Sequence, residues 1–345
     1  MTISLNAEWS KQSAVLLAWP HHDSDWRNIL NDAEGVYRDL VARITQHETV
    51  LLLYRDDEHF RRINTILRDA NVVTSRIRWQ ALVTNDTWAR DFGPITVSDS
   101  GHPVLLDFTF NGWGGKYAAA EDNQVTVRLH ANGCFGTTPI RKIDFVLEGG
   151  SIDSDGQGSL LTTRQCLLTP ARNPDFTEQD IEALFKAYLG VDRVLWLDHG
   201  ELRGDDTDSH IDMLARFCSP GIIAYSSCDD PEDEHYTPLQ AMQAELQQLR
   251  QRNGARYQLI ALPIPAAKFA GDGRRLPASY ANFLIINGAV LLPVYDDPAD
   301  AIAITRLQEC FPDREVIAIN CLPLIRQSGS LHCVTMQLPE GVIKP

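Results

Sequence analysis

The sequence predicts a mixed α/β (α+β) protein built as one domain over residues 1–345. Three observations predict it. Short apolar runs of strand length recur along the whole chain. Longer amphipathic stretches with helical spacing are interspersed among them. No Gly/Pro-rich break, low-complexity segment or long linker divides the chain.

In order, strands are expected at Ala14–Trp19, Val50–Tyr54, Ile95–Val97, Val104–Phe110, Leu160–Thr163, Val194–Leu197, Ile211–Phe217, Ile222–Tyr225, Gln258–Leu262, Phe283–Ile286, Val290–Pro293 and Val316–Ile319. Helices are expected at Ala33–Gln46, Glu58–Ala70, Glu178–Tyr188, Pro238–Arg252 and Ala299–Cys310. The first helix puts Val36, Tyr37, Leu40, Val41 and Ile44 on one face. Thr177, with Asp180 three residues on, reads as an N-cap. Val125–Leu129 alternates like a strand, but its polar neighbours leave it undecided. Met1–Ser10 has no basic head and no apolar core, so no signal peptide is expected. No apolar run approaches the ~20 residues of a membrane helix. A cytoplasmic protein is the expectation.

Lys+Arg 31 against Asp+Glu 46 gives a net charge of −15. Such a field repels nucleic acid and anionic lipid and attracts cations. Asp198 to Glu234 holds eleven acidic residues against Arg203 and Arg216 alone. Solubility explains an acidic excess as such; a cationic ligand needs support from motifs. The seven cysteines are odd in number and irregularly spaced, with no CxxC pair. That excludes a disulfide framework or zinc ribbon and leaves room for a nucleophile among buried thiols.

Four segments carry candidate chemistry. In Trp88-Ala89-Arg90-Asp91-Phe92-Gly93-Pro94, Arg90 and Asp91 form a locally ion-paired turn, or Asp91 faces a cationic ligand beside the Trp88 ring. In Glu148-Gly149-Gly150-Ser151-Ile152-Asp153, a carboxylate sits among apolar neighbours, where burial demands a partner; the paired glycines permit close backbone approach. Asp205-Asp206-Thr207-Asp208-Ser209-His210-Ile211-Asp212 is the most informative stretch. If Ile211–Phe217 is a strand, His210 and Asp212 share a face, suited to proton transfer and cation binding. The three upstream aspartates are a solvated loop or hard-cation ligands, although the calcium-loop pattern lacks its glycine and its glutamate. In Gly329-Ser330-Leu331-His332-Cys333, Cys333 enters a strand from a Gly/Ser loop. His332, as its neighbour in a strand, points to the opposite face and is a poor base for it; His210 is the better one. Together Asp91, Glu148 and Asp212 can surround a guanidinium, whose N–H forks suit carboxylates. Cys333 can attack its central carbon, and His210 can move protons.

WARDFGP, FNGWGGKY, EGGSID, DDTDSHIDMLARF, NGAVLLPVYDDPAD and LHCVT occur in this order between Ala14 and Thr335. The set resembles the agmatine deiminase branch of the guanidine-modifying superfamily, the bacterial peptidylarginine deiminase-like family. That resemblance implies a five-bladed, pseudo-symmetric α/β propeller of strand-strand-helix-strand units. It implies Cys333 as nucleophile, His210 as general acid/base and Glu148 as the acid that orients guanidinium and histidine. Asp91 and Asp212 become the guanidinium clamps, with Trp88 and Trp113 near the substrate chain. Phe92, Ser328 and Ser209 depart from the family's usual residues, the last two standing where glycine is frequent. Agmatine would be hydrolysed through an S-alkylthiouronium to N-carbamoylputrescine and ammonia, with no metal, no organic cofactor, no nucleic-acid partner and no membrane. A homo-oligomer is compatible with the sequence. The alternatives are an arginine or peptidyl-arginine deiminase (for which no basic residue can be assigned to an α-carboxylate), an amidinotransferase, a metal-dependent hydrolase using the loop aspartates, and a silent polyamine-binding protein.

Overall fold

The computed structural model describes residues 3–343. Seventeen strands and ten α-helices alternate along the described residues, and the strands form five small sheets. Each sheet repeats one order: an antiparallel pair of strands, then a third strand parallel to the second. Parallel neighbours need a crossover, and a helix supplies it each time.

The first sheet pairs Ile95–Asp99 with His102–Thr109, passes through the helix Val125–Ala131, and adds Ile140–Val146; the short strand Ile3–Leu5 extends its edge. The second pairs Ile152–Ser154 with Ser159–Thr163 and returns through Glu178–Leu189 to Arg193–Leu197. The third joins Ala215–Ser219 and Ile222–Ser227, then crosses over Tyr236–Gln248 to Gln258–Pro263. The fourth uses Leu284–Ile286, Ala289–Val294, the helix Ala299–Cys310 and Glu315–Asn320. The fifth is shared by the two ends of the chain. Thr335–Pro339 pairs antiparallel with Gln12–Ala18, the helix Leu30–His47 leads to the parallel Thr49–Tyr54, and Asp57–Asp69 leads on to Ile77–Ala81.

Crossover helices cover sheet faces, so central strands are buried on both sides and read as continuous apolar runs. Val15, Leu16 and Leu17 are fully buried, as are Val290, Leu291 and Leu292. The helix Leu30–His47 buries Val36, Tyr37, Leu40, Val41 and Ile44 together, as its spacing predicts. Among the described residues no helix is long and apolar enough to cross a membrane.

One open reading is settled and one is corrected. Val125–Leu129 is helical, within Val125–Ala131, with Val125 and Leu129 meeting the core four residues apart. Ile211–Phe217 is not one strand: Ile211–Met213 is a 3-10 turn, and the strand runs Ala215–Ser219. The shared strand face proposed for His210 and Asp212 therefore does not exist. The strands Ile77–Ala81 and Ile140–Val146 form no apolar run because they lie at sheet edges, with polar residues on exposed sides.

Thr177 and Asp180 form a complete capping box on the helix Glu178–Leu189. Thr177→Ala should cost about 1 kcal/mol of stability in urea unfolding; an unchanged midpoint would show that the cap contributes nothing.

Candidate active site

Each of the five sheet-to-sheet connections delivers a residue to one buried centre. Asp91 lies between the fifth sheet and the first, and Glu148 between the first and second. His210 and Asp212 lie between the second and third, Asn282 between the third and fourth, and Cys333 between the fourth and fifth. All six are buried.

The glycine pair after Glu148 sets how closely they gather. A Cβ on Gly150 would stand 2.7 Å from His210 Nδ1, 2.9 Å from Asp91 Oδ1 and 3.1 Å from Asp212 Oδ2. Those three side chains therefore converge on a point that only a glycine leaves open. The Gly150 N–H donates to Asp91 Oδ1 at 3.0 Å. Asp91 Oδ2 accepts from the Trp113 indole at 3.0 Å. Trp113 reaches it from a left-handed backbone, φ 55° and ψ 50°, a conformation that costs a bulky residue roughly 1–2 kcal/mol; the glycines around it in FNGWGGKY make the tight turn. Asp91 sits on the short helix Ala89–Phe92. It forms no local pair with Arg90, whose guanidinium instead meets the His332 carbonyl and Gln337.

His210 Nδ1 lies 3.7 Å from Asp91 and its Nε2 3.8 Å from Glu148. Glu148 is held by Arg172, whose Nε is 3.0 and 2.8 Å from its two oxygens. Arg172 also binds Asp208 at 2.7 Å and the Thr207 carbonyl at 2.9 Å, which anchors the loop before His210. Asp205 turns back on that loop to accept from Thr207 and Ser209. Lys116 and Tyr117 bind Asp208 and Asp206 across the cavity mouth. The three loop aspartates are thus engaged by the protein. Cys333 Sγ is 3.8 Å from Asp212 Oδ2 and 3.3–3.4 Å from the Asn282 amide group.

Burial dominates the proton equilibria. It raises the Asp91 pKa to about 6, with Asp212 and Glu148 adding to it against His210 and Trp113. Burial, then Asp212 and Asp91, push the Cys333 thiol well above its ordinary value. For His210 burial acts downward, but Asp91, Cys166 and Glu148 raise its pKa well above the usual imidazole value. Glu148 and Asp212 stay below the usual carboxylate range despite burial; His210 and Arg172 act on the former, His332 and His210 on the latter. The apo site therefore holds a neutral thiol and a charged imidazole. Two buried atoms, His210 Nε2 and Asp212 Oδ1, have no hydrogen-bond partner among the described residues. Such atoms are costly unless a ligand completes them.

A cavity of about 410 Å³ leads to this centre. Asp91 and Cys333 line it, Trp88 and Trp113 flank it, and Asp25, Asp86, Asp205, Asp206 and Arg274 line the remainder. Gly329 lets Trp88 lie against the loop, since a Cβ there would fall 2.1 Å from the ring. Ser209 and Ser328, the two departures from glycine, have φ of 66° and 65°. That is the left-handed region, which accounts for the glycine that the resemblance leads one to expect at both places.

A family model, the Porphyromonas-type peptidyl-arginine deiminase, matches residues 4–339. The chain belongs to this family. It is 33% identical to the agmatine deiminase of Stutzerimonas stutzeri, covering 98% of this chain and 96% of that one. Among solved structures it resembles a cysteine-to-serine variant of C. jejuni agmatine deiminase with substrate bound: TM-score 0.91, 38% identity, 98% of this chain and 97% of that one. It also resembles a Porphyromonas gingivalis chain named provisionally as an arginine deiminase, with TM-score 0.93, 47% identity, and 99% and 100% coverage.

In this deiminase-family site, sequence reasoning missed Arg172, Asn282, Cys166, Glu8 and the true direction of His332. Asn282 lies just ahead of the NGAVLLPVYDDPAD motif, which begins at Asn287, so the resemblance ran close to it without marking it. Glu148, Cys166 and His210 also bring metal-type ligand atoms within 4.8 Å of one another, but Arg172 already occupies Glu148.

Two outcomes follow. In Cys333→Ser, affinity for a guanidinium compound should strengthen as pH rises toward about 6, where Asp91 becomes charged, and level off above it. Calorimetry giving equal affinity at pH 5 and 7 would contradict this. Gly150→Ala should weaken the same binding at least about tenfold; unaltered affinity would remove the close-approach argument.

Proposed function

We propose that this chain is an agmatine deiminase, hydrolysing agmatine to N-carbamoylputrescine and ammonia. The observation that carries the reading is the buried, unpartnered Oδ1 of Asp212, whose other oxygen lies 3.8 Å from the Cys333 thiol, behind a cavity that Asp91 and Cys333 line together with further carboxylates. A planar guanidinium between Asp91 and Asp212 satisfies both with N–H donors, and the acidic outer cavity suits the distal ammonium of a dication.

The guanidinium charge offsets the carboxylates that hold the thiol neutral, so Cys333 gives up its proton to solvent with substrate in place. The thiolate attacks the central carbon and a C–S bond forms. His210 gives its proton to one nitrogen, the C–N bond breaks, and ammonia leaves an S-alkylthiouronium. Neutral His210 then takes a proton from water, which adds to the same carbon. The C–S bond breaks as the added hydroxyl loses its remaining proton to solvent and becomes the carbonyl, releasing thiolate and the carbamoyl product. Glu148 orients His210, while Trp88 and Trp113 flank the alkyl chain.

The family resemblance and the five sheets of identical strand order support a five-bladed α/β propeller, one domain over residues 1–345, with these residues around its axis. Seven free thiols are consistent with a reducing, cytoplasmic setting. One observation favours a second reading: Arg274 lines the cavity, which suits the carboxylate of arginine or of a peptide. Its guanidinium is already bonded to Ser328 and to the Arg326 carbonyl, and five aspartates of the same cavity outnumber it.

The test is ammonia and N-carbamoylputrescine formation from agmatine with EDTA present, beside Cys333→Ser, arginine and a blocked arginine peptide. Agmatine turnover by the wild type alone is expected. Turnover by Cys333→Ser would reject the nucleophile, and preference for arginine or the peptide would move the assignment to Arg274. Alkylation of Cys333 by a neutral reagent at pH 7 should be slow and should accelerate with a small bound amidine; fast alkylation without one would contradict the charge argument.

A further inference from the structure

Behind Cys333 runs a row of buried charges that the steps above do not use. His332 Nδ1 lies 2.8 Å from Asp212 Oδ2, and His332 Nε2 lies 2.8 Å from Glu8 Oε2. The same Glu8 oxygen accepts from Arg216 at 2.6 Å, and its other oxygen accepts from the Ile285 N–H at 2.7 Å. Arg216 is fixed in turn by the Phe283 carbonyl at 3.0 Å. The His332 N–H donates to Asn282 Oδ1 at 2.8 Å, the same side chain that meets the Cys333 thiol. Every side chain in the row is buried.

The geometry divides the labour of Asp212. Its Oδ2 is committed to His332 and lies beside Cys333, while its Oδ1 is unpartnered. A carboxylate free to rotate would present either oxygen and lose alignment with a planar cation. We propose that His332, braced by Glu8 and Arg216, is a positioning residue that locks Asp212 with Oδ1 turned to the guanidinium and Oδ2 beside the thiol. This rests on the deiminase reading of Asp212. It assigns a task to the N-terminal segment, which reaches the site through Glu8. The charged groups facing His332 are Glu8, Asp212, Arg90 and Arg216. Two ring nitrogens at 2.8 Å from two carboxylate oxygens call for a proton in each contact, whereas burial, Arg216 and Arg90 hold the His332 pKa below its usual value; the short contacts decide, and the row works as a hydrogen-bonded unit.

The test compares His332→Gln, Glu8→Gln and Glu8→Ala with wild type, using full-length protein and rates normalised to titrated active sites. Two readouts are taken: kcat and KM for agmatine, and the inactivation rate of Cys333 by chloroacetamidine, a cationic alkylator, against neutral iodoacetamide. His332→Gln and Glu8→Ala should lose about 10- to 100-fold in kcat/KM, with KM raised. They should lose chloroacetamidine reactivity in parallel while keeping iodoacetamide reactivity. Glu8→Gln, which keeps the shape, should recover part of the loss relative to Glu8→Ala. Wild-type constants per active site in His332→Gln, or in Glu8→Ala if the former does not fold, would overturn the proposal. The chloroacetamidine arm does not need agmatine. A wild type that reacts with it but does not turn over agmatine would sink the substrate assignment and leave this test readable.

Discussion

The structure depends on burying four carboxylates in one place. Asp91, Glu148, Asp212 and Glu8 all lie out of solvent, where an ionised acid survives only if paired and hydrogen-bonded. Arg172 balances Glu148, Arg216 and His332 balance Glu8, and His332 takes one oxygen of Asp212. Asp91 is served by two neutral donors and a histidine at 3.7 Å. The charge deficit therefore sits between Asp91 and Asp212, next to the thiol. On the proposed reading, a site built this way selects a cation and uses that cation to create its nucleophile.

The fold explains how five distant segments meet. Each sheet ends in a connection that turns inward, so at least one polar residue per connection reaches the centre without burying a charge inside a strand. The two chain ends share the fifth sheet, through the pairing of Thr335–Pro339 with Gln12–Ala18. That pairing holds the Cys333 segment beside the N-terminal segment carrying Glu8. Closing the fifth sheet and placing Cys333 thus rest on the same strand pairing.

Much of this was legible in the sequence because the site residues lie in short polar or glycine-bearing segments between apolar runs. Asp91, Glu148, His210, Asp212 and Cys333 all stand out in that way. The error at His210 and Asp212 came from reading strand alternation into Ile211–Phe217, where a 3-10 turn intervenes. His332 was set aside by the same alternation rule, although its strand begins only at Thr335. Glu8 carried no signal at all: its partners Arg216 and His332 are 208 and 324 residues away, and local pattern cannot express so remote a contact. Ser209 and Ser328 show the converse, positions where a family's glycine preference reports a backbone angle that serine here tolerates.

The central claim is that the buried centre is complementary to the positive charge of a guanidinium. Calorimetric titration of Cys333→Ser with agmatine and with N-carbamoylputrescine tests it directly. The two molecules share the amine and the chain and differ in whether the terminal group is a cation or a neutral urea. The account predicts that agmatine binds at least about 100-fold more tightly, the scale of an unpaired buried charge. Equal affinities would mean that the carboxylates do not recognise the guanidinium, and the account would fail.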